Sequence, residues 1–184
     1  MNDTLQTYTD EKLFKELCCG NREAAFKEIY ARYSSRVYLY CQKVLGNGTA
    51  ADDVFQETFL NFLKSADEQR DTTHLAAYLL KIARNNCLKV RRTQTFKTIT
   101  FEDFHLPVDD DAFEQEELCR LVTSALDLLI EEHREALVLQ MYSGLSYGEI
   151  AELTGVPLTT VRNRIARAKS KIRQILTPYM EGNR

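Results

Sequence analysis

The chain has 184 residues, 44% of them apolar and 28% charged, enough for one medium domain or two small ones and too apolar for a disordered chain. Twenty-four Lys and Arg against 27 Asp and Glu leave a formal charge of −3, an average that by itself speaks against a nucleic-acid binder, which usually carries a basic excess. No apolar run approaches the roughly 18 residues of a membrane span, and Met1-Asn2-Asp3-Thr4 lacks the basic and then apolar profile of a secretory signal, so a cytoplasmic protein with no membrane insertion is expected.

Only seven Gly and three Pro occur, and none of the Pro precedes Pro107, which leaves long stretches with nothing to break a helix. Thr9 can cap a first helix, with Asp10 and Glu11 at the positive end of its dipole, Leu13, Phe14, Leu17 and Cys18 inward, and Gly20 as the stop. A second helix follows Asn21, with Phe26, Tyr30, Tyr33, Val37, Cys41 and Val44 drawing one apolar stripe to Gly46-Asn47-Gly48. The third, roughly Ala50 to Ala66, buries Phe55, Phe59, Phe62 and Leu63 and turns Asp53, Glu57, Asn61 and Lys64 outward, with Gln56 at the border. A fourth begins near Thr73 and runs through Leu75, Tyr78, Leu79, Ile82 and Val90 to the basic end Lys89-Val90-Arg91-Arg92. These four helices predict a bundle over residues 9–92.

From 93 to 112 the periodicity fails, Pro107 enters, and Asp109-Asp110-Asp111 follows, the composition of a flexible, acidic linker. Beyond it, over 113–178, helices are expected near Phe113 to Leu129 and Glu131 to Met141, and then a pair with sharper signals. Ser146-Tyr147-Gly148-Glu149 has the spacing of a capping box, flanked by Leu145 and Ile150 as a hydrophobic staple. Gly155 can turn a sharp corner and Pro157 opens a new helix on which Val161, Ile165, Ala168, Ile172 and Ile175 recur at steps of four and three. Helix, Gly turn and helix form the helix-turn-helix pattern. From Leu158 to Arg173 the second helix carries six cations and no acid. Thr159, Thr160, Arg162, Asn163 and Arg167 lie off its apolar stripe, where Arg can grip a guanine edge, Asn an adenine, and Thr a thymine methyl.

Three stretches taken together resemble one family, the extracytoplasmic-function (ECF) sigma factors of the sigma-70 family, small bacterial transcription-initiation subunits. They are Ala51-Asp52-Asp53-Val54-Phe55-Gln56-Glu57-Thr58-Phe59-Leu60, then Ala77-Tyr78-Leu79-Leu80-Lys81-Ile82-Ala83-Arg84-Asn85 followed by Arg91-Arg92, and then Leu145 to Ala151 continuing through Gly155 to Val161-Arg162-Asn163-Arg164-Ile165-Ala166-Arg167-Ala168. The resemblance implies an all-α protein of two small helical domains, a sigma region 2 bundle (9–92) and a sigma region 4 helix-turn-helix domain (113–178), joined by the acidic linker. It implies that Asp53, Gln56, Glu57 and Asn61 dock on the β′ clamp helices of core RNA polymerase. The segment from Ser65 to Thr73 would capture a flipped promoter base, and Asn85, Lys89, Arg91 and Arg92 would face the minus-10 element, while Asn86, on the apolar stripe, reads as a structural amide. Thr159, Thr160, Arg162, Asn163, Arg164, Arg167 and Lys171 would read the minus-35 element. The partners implied are core polymerase, promoter DNA and an anti-sigma factor. The chain departs from the family pattern at Tyr78, where Trp is frequent, at Ile130, where Pro is frequent, and at Pro157-Leu158-Thr159-Thr160, where Ser-x-Gly-Thr is frequent.

Two other classes are weighed. An enzyme is disfavoured, because His74, His105 and His133 lie on separate elements, Gly46-Asn47-Gly48 lacks the Lys-Ser of a phosphate loop, and Asp109-Asp110-Asp111 lacks calcium-loop spacing. Cys18, Cys19, Cys41, Cys87 and Cys119 form no Cys-x-x-Cys pair, so neither a metal nor any other cofactor is expected. The alternative is a stand-alone helix-turn-helix regulator with an N-terminal sensor or dimerisation domain, which would bind duplex DNA without polymerase.

Overall fold

The computed structural model describes residues 5–46, 48–66, 74–93 and 121–181, and among these every regular element is helical. The chain divides into two compact units. The expected linker, Cys119, and most of the Ser65 to Thr73 segment lie outside the described residues.

The first unit is built on α1 (Asp10–Cys19), α2 (Arg22–Leu45), α3 (Gly48–Ser65) and α4 (Leu75–Thr93), preceded by a short 3-10 turn at Leu5–Thr7. Thr9 caps α1 by accepting from the Lys12 amide at 3.4 Å, and Asn21 caps α2 by accepting from the Ala24 amide at 3.1 Å, so local side-chain bonds mark both starts. Helix α2 ends at Gly46 in the left-handed region, φ 67°. Helix α1 stops differently. Gly20 has φ −121°, and the Glu16 carboxylate, which accepts from the Asn21 amide at 3.3 Å, folds over the place where a Cβ would stand.

Helix α2 is the central member, packed by α1, α3 and α4. Its buried stripe is Ala25, Ile29, Tyr33, Val37, Tyr40, Cys41 and Val44, so the expected inward placement of Phe26 and Tyr30 is corrected. Phe26 is half-buried and Tyr30 is 40% exposed. The small Ala25 is fully buried, while the two rings lie over the α3 edge, Tyr30 being 4.9 Å and Phe26 6.1 Å from Phe59. The same edge holds Phe55 half-buried, 5.3 Å from Tyr38. Phe55 and Leu63 therefore border the core that Ala51, Val54, Thr58, Phe59 and Phe62 fill. Helix α4 contributes Leu75, Leu79, Leu80, Ala83 and Cys87, with Tyr78, Ile82 and Val90 half-buried. Asn86 is buried, its amide 3.5 Å from Thr58 Oγ1 and its carbonyl oxygen 3.5 Å from Asn61 Nδ2. That is the structural amide expected of it.

The second unit comprises α5 (described over 121–127), α6 (Glu131–Met141), α7 (Tyr147–Thr154) and α8 (Leu158–Glu181). Its buried residues include Ala125, Leu126, Leu129, Ile150, Val161, Ile165 and Ala168. The capping box is complete: the Ser146 hydroxyl accepts from the Glu149 amide at 3.3 Å, and the Glu149 carboxylate accepts from the Ser146 amide at 2.8 Å. Gly155 ends α7 with φ 72°, and α8 starts at once after Pro157. Arg134 closes the end of α5 and the turn after it, donating to the carbonyls of Leu126 (2.9 Å), Asp127 (2.7 Å) and Leu129 (3.3 Å), where the end of a helix leaves carbonyls without a partner inside the helix.

Candidate functional site

Three exposed helix faces carry the candidate residues. On α3, Asp53, Gln56 and Glu57 are exposed, while Asn61 is half-buried. Asn61 Nδ2 lies 3.3 Å from Glu57 Oε1 and 3.5 Å from Asn86 Oδ1, so it links the acidic surface to the buried amide below. Leu60, one turn from Gln56 and Lys64, is 56% exposed in the middle of this face. Sequence reading passed over it, though a leucine at an outward position was the available signal.

On α4, Asn85, Lys89 and Arg92 are exposed and, at about 100° per residue, share one side with Lys81. Arg91 is half-buried and lies about 120° round the helix from Asn85. Three of the four expected minus-10 residues thus come together, and Arg91 stands on the flank. Basic residues end this helix, where cations meet the negative end of the dipole.

On α8, Thr159, Arg162, Asn163, Arg167 and Lys171 are exposed and Thr160 is half-buried. Arg164 differs. Its guanidinium donates to Glu132 of α6 at 2.7 Å, and its side chain is only 18% exposed. Beside it, burial and then the nearby Arg167 and Arg164 charges push the His133 imidazole below its usual range. A groove of about 350 Å³ is lined by residues that include Leu128, Ile130, His133, Arg167 and Lys171. No group of His, Cys, Asp and Glu that could hold a metal ion occurs among the described residues, and no described helix is long and apolar enough to cross a membrane.

Residues 29–96 match Sigma-70 region 2 and residues 119–172 match Sigma-70 region 4. The chain is 32% identical over 157 residues to the RNA polymerase sigma factor CarQ of Myxococcus xanthus, covering 83% of this chain and 89% of that protein. The chain belongs to the ECF sigma factors of the sigma-70 family. It is also 31% identical over 187 residues to the ECF RNA polymerase sigma-E factor of Haemophilus influenzae, covering 94% and 97% of the two chains. Among solved structures, CnrH in complex with the cytosolic domain of CnrY is similar at a TM-score of 0.71 and 26% identity, covering 92% of this chain and 97% of that one. In this sigma factor the α3 and α4 candidates fall inside the region 2 match and the α8 candidates inside the region 4 match. Helix α1 precedes the region 2 match, yet Leu13, Phe14 and Leu17 are part of the same buried core.

Proposed function

We propose that this sigma factor joins core RNA polymerase through the α3 face, selects promoters through α4 and α8, and helps open the DNA between them. The observation that carries the reading is the order of faces: an acidic patch with an exposed leucine on α3, a cationic face on α4, and a cationic face on the second helix of a helix-turn-helix. Asp53, Gln56, Glu57 and Asn61 are assigned to the β′ clamp helices of polymerase. Asn85, Lys89, Arg91 and Arg92 are assigned to the minus-10 element, the first two and Arg92 facing DNA directly and Arg91 supporting from the flank.

Within α8, the exposed Arg162 and Asn163 would read base edges, Arg suiting guanine and Asn adenine. Thr159, Thr160, Arg167 and Lys171 would fix register through phosphates and methyl contacts, since phosphate contacts position a protein and base contacts specify the sequence. Arg164, held by Glu132, would act by setting the rotation of α8 on α6. Opening a promoter means holding a base outside the stack, which costs a few kcal/mol that contacts on the protein must offset. The domain limits are proposed at 9–92 and 113–178, with 93–112 as connector.

The reading makes the protein an initiation factor that performs no chemistry of its own and works in the cytoplasm, where the polymerase is. The solved relative CnrH is held by the cytosolic domain of another protein, which supports an anti-sigma factor as a partner here too. Pull-down of core polymerase by the purified chain, followed by run-off transcription and mapping of the starts, tests the proposal. Failure to bind core enzyme, or binding with no promoter-dependent transcript, would overturn it.

A further inference from the structure

Two buried polar side chains of the first unit, Thr58 of α3 and Asn86 of α4, meet each other. The Asn86 amide nitrogen donates to Thr58 Oγ1 at 3.5 Å, and its carbonyl oxygen accepts from Asn61 Nδ2, also of α3, at 3.5 Å. The Thr58 hydroxyl donates to the Val54 carbonyl at 2.7 Å. Asn61 is half-buried and donates as well to Glu57 Oε1 at 3.3 Å. Thr58 and Asn61 stand three residues apart, neighbours on one helix face, so both ends of the Asn86 amide are held by the same side of α3.

On α4, Asn86 follows Asn85 directly and comes three positions, close to one turn, before Lys89. The rest of the buried arc of α4 is Leu75, Leu79, Leu80, Ala83 and Cys87. Apolar burial is non-directional and leaves the roll of a helix about its own axis loosely defined. A buried amide that bonds at both ends to one facing helix is directional and admits one roll. Stability does not require that amide. With leucine at position 86, Thr58 keeps its bond to Val54, and Asn61 keeps Glu57 and water, so no buried group loses its last partner.

We propose that Asn86 is a positioning residue for the minus-10 element: through Thr58 and Asn61 it fixes the roll of α4 on α3, and with it the direction in which Asn85, Lys89 and Arg92 are presented. The proposal rests on the assignment of that α4 face to the minus-10 element. A face held in one direction before DNA arrives has less freedom to lose on binding, which raises affinity with no added contact.

The test uses holoenzyme assembled from core polymerase and the full chain, with a single-stranded oligonucleotide carrying the minus-10 sequence of a promoter that the holoenzyme transcribes. Asn86→Leu is expected to weaken binding of that strand about five-fold, in the lower part of the range for side chains that act through one another. Its urea midpoint, its affinity for core enzyme and its affinity for a minus-35 duplex should stay unchanged. Asn86→Met, a second apolar replacement, should behave in the same way. Lys89→Ala should also weaken strand binding, and combined with Asn86→Leu it should lose less than the product of the two separate factors, because a lysine already turned away has less to contribute. Leu79→Val, two turns earlier on the same buried arc, should lower the urea midpoint and bind the strand as the unaltered chain does. Wild-type strand binding by Asn86→Leu and Asn86→Met, the full product of factors in the double variant, or an equal loss in Leu79→Val would each overturn the proposal. If Lys89→Ala and Arg92→Ala both bind the strand as the unaltered chain does, the assignment of the α4 face fails and takes the proposal with it.

Discussion

Arg164 and His133 illustrate how neighbours redirect single side chains. Read along α8, Arg164 is one of six equivalent cations, but its guanidinium lies against Glu132, so it is the cation on that helix least able to reach DNA. The Glu132 side chain is 63% exposed, and such a pair contributes at most about 1 kcal/mol. Arg164→Ala should therefore lower stability only slightly. His133 lies next to this pair, and its folded pKa is depressed below that of the unfolded chain by burial and by Arg167 and Arg164. The unfolded state then binds more protons just below the ordinary histidine pKa, so stability falls as pH drops through that value and is fully present above it. Urea unfolding at pH 7.5 and 5.5 is expected to show this loss, and His133→Gln should reduce it. An unchanged pH dependence in the variant would exclude His133 as its source.

At the scale of elements, the caps carry most of the local information. The Ser146 and Glu149 pair satisfies two amides at the start of α7, and Gly155 turns the chain into α8 with φ 72°. Ser146→Ala should cost about 1 kcal/mol, and Gly155→Ala, forced into the left-handed region, should cost about as much again. Chemical denaturation measures both. The larger consequence should be weaker binding to the minus-35 duplex, since the turn sets how α8 is presented. Gly20 offers the contrast: its φ is not left-handed, and what meets a Cβ most closely is the end of the Glu16 side chain, which can rotate aside at the cost of its bond from the Asn21 amide, with the Glu16 carbonyl oxygen next at 3.3 Å. Gly20→Ala should be tolerated, and a loss comparable to that of Gly155→Ala would contradict this account. Helix α2 shows where a single stripe misleads. An element packed on three sides buries an arc wider than one stripe, so Ala25 and Ile29 go inward and Tyr30 is left at the rim.

Over the whole chain, the charge of −3 is a sum of opposed blocks. Tyr78 to Lys97 and Leu158 to Arg173 each hold six cations and no acid, while Phe101 to Glu135 holds twelve acids against Arg120 and Arg134, a net of −10. A near-neutral average thus conceals two basic faces, one for each promoter element in the proposed function. Separate faces should fail separately: Glu57→Lys is expected to impair core binding first, and Arg162→Ala to impair promoter-specific initiation while core affinity holds. Equal loss of both activities in either variant would count against the division. For residues 113–184 on a minus-35 duplex, with Arg162 on base edges and Arg164 held by Glu132, four cations (Arg167, Lys169, Lys171 and Arg173) are left to meet phosphates and give a slope of log affinity against log salt of about −3.6. Lys171→Ala should reduce that slope by about 0.9 and Arg164→Ala should leave it unchanged. The helices, their caps, the helix-turn-helix and the family motifs were all present in the sequence alone, because each depends on residues three or four positions apart or on a side chain meeting its own backbone. Only the tertiary structure decided which of the α8 cations is held by α6, that Arg134 closes α5, and that Tyr78 meets Ser65 while Asp10 meets the Leu75 amide. Contacts such as Arg164 with Glu132 and Asp10 with Leu75 join residues 32 and 65 positions apart, and no periodicity within a helix encodes which distant partner a side chain will meet.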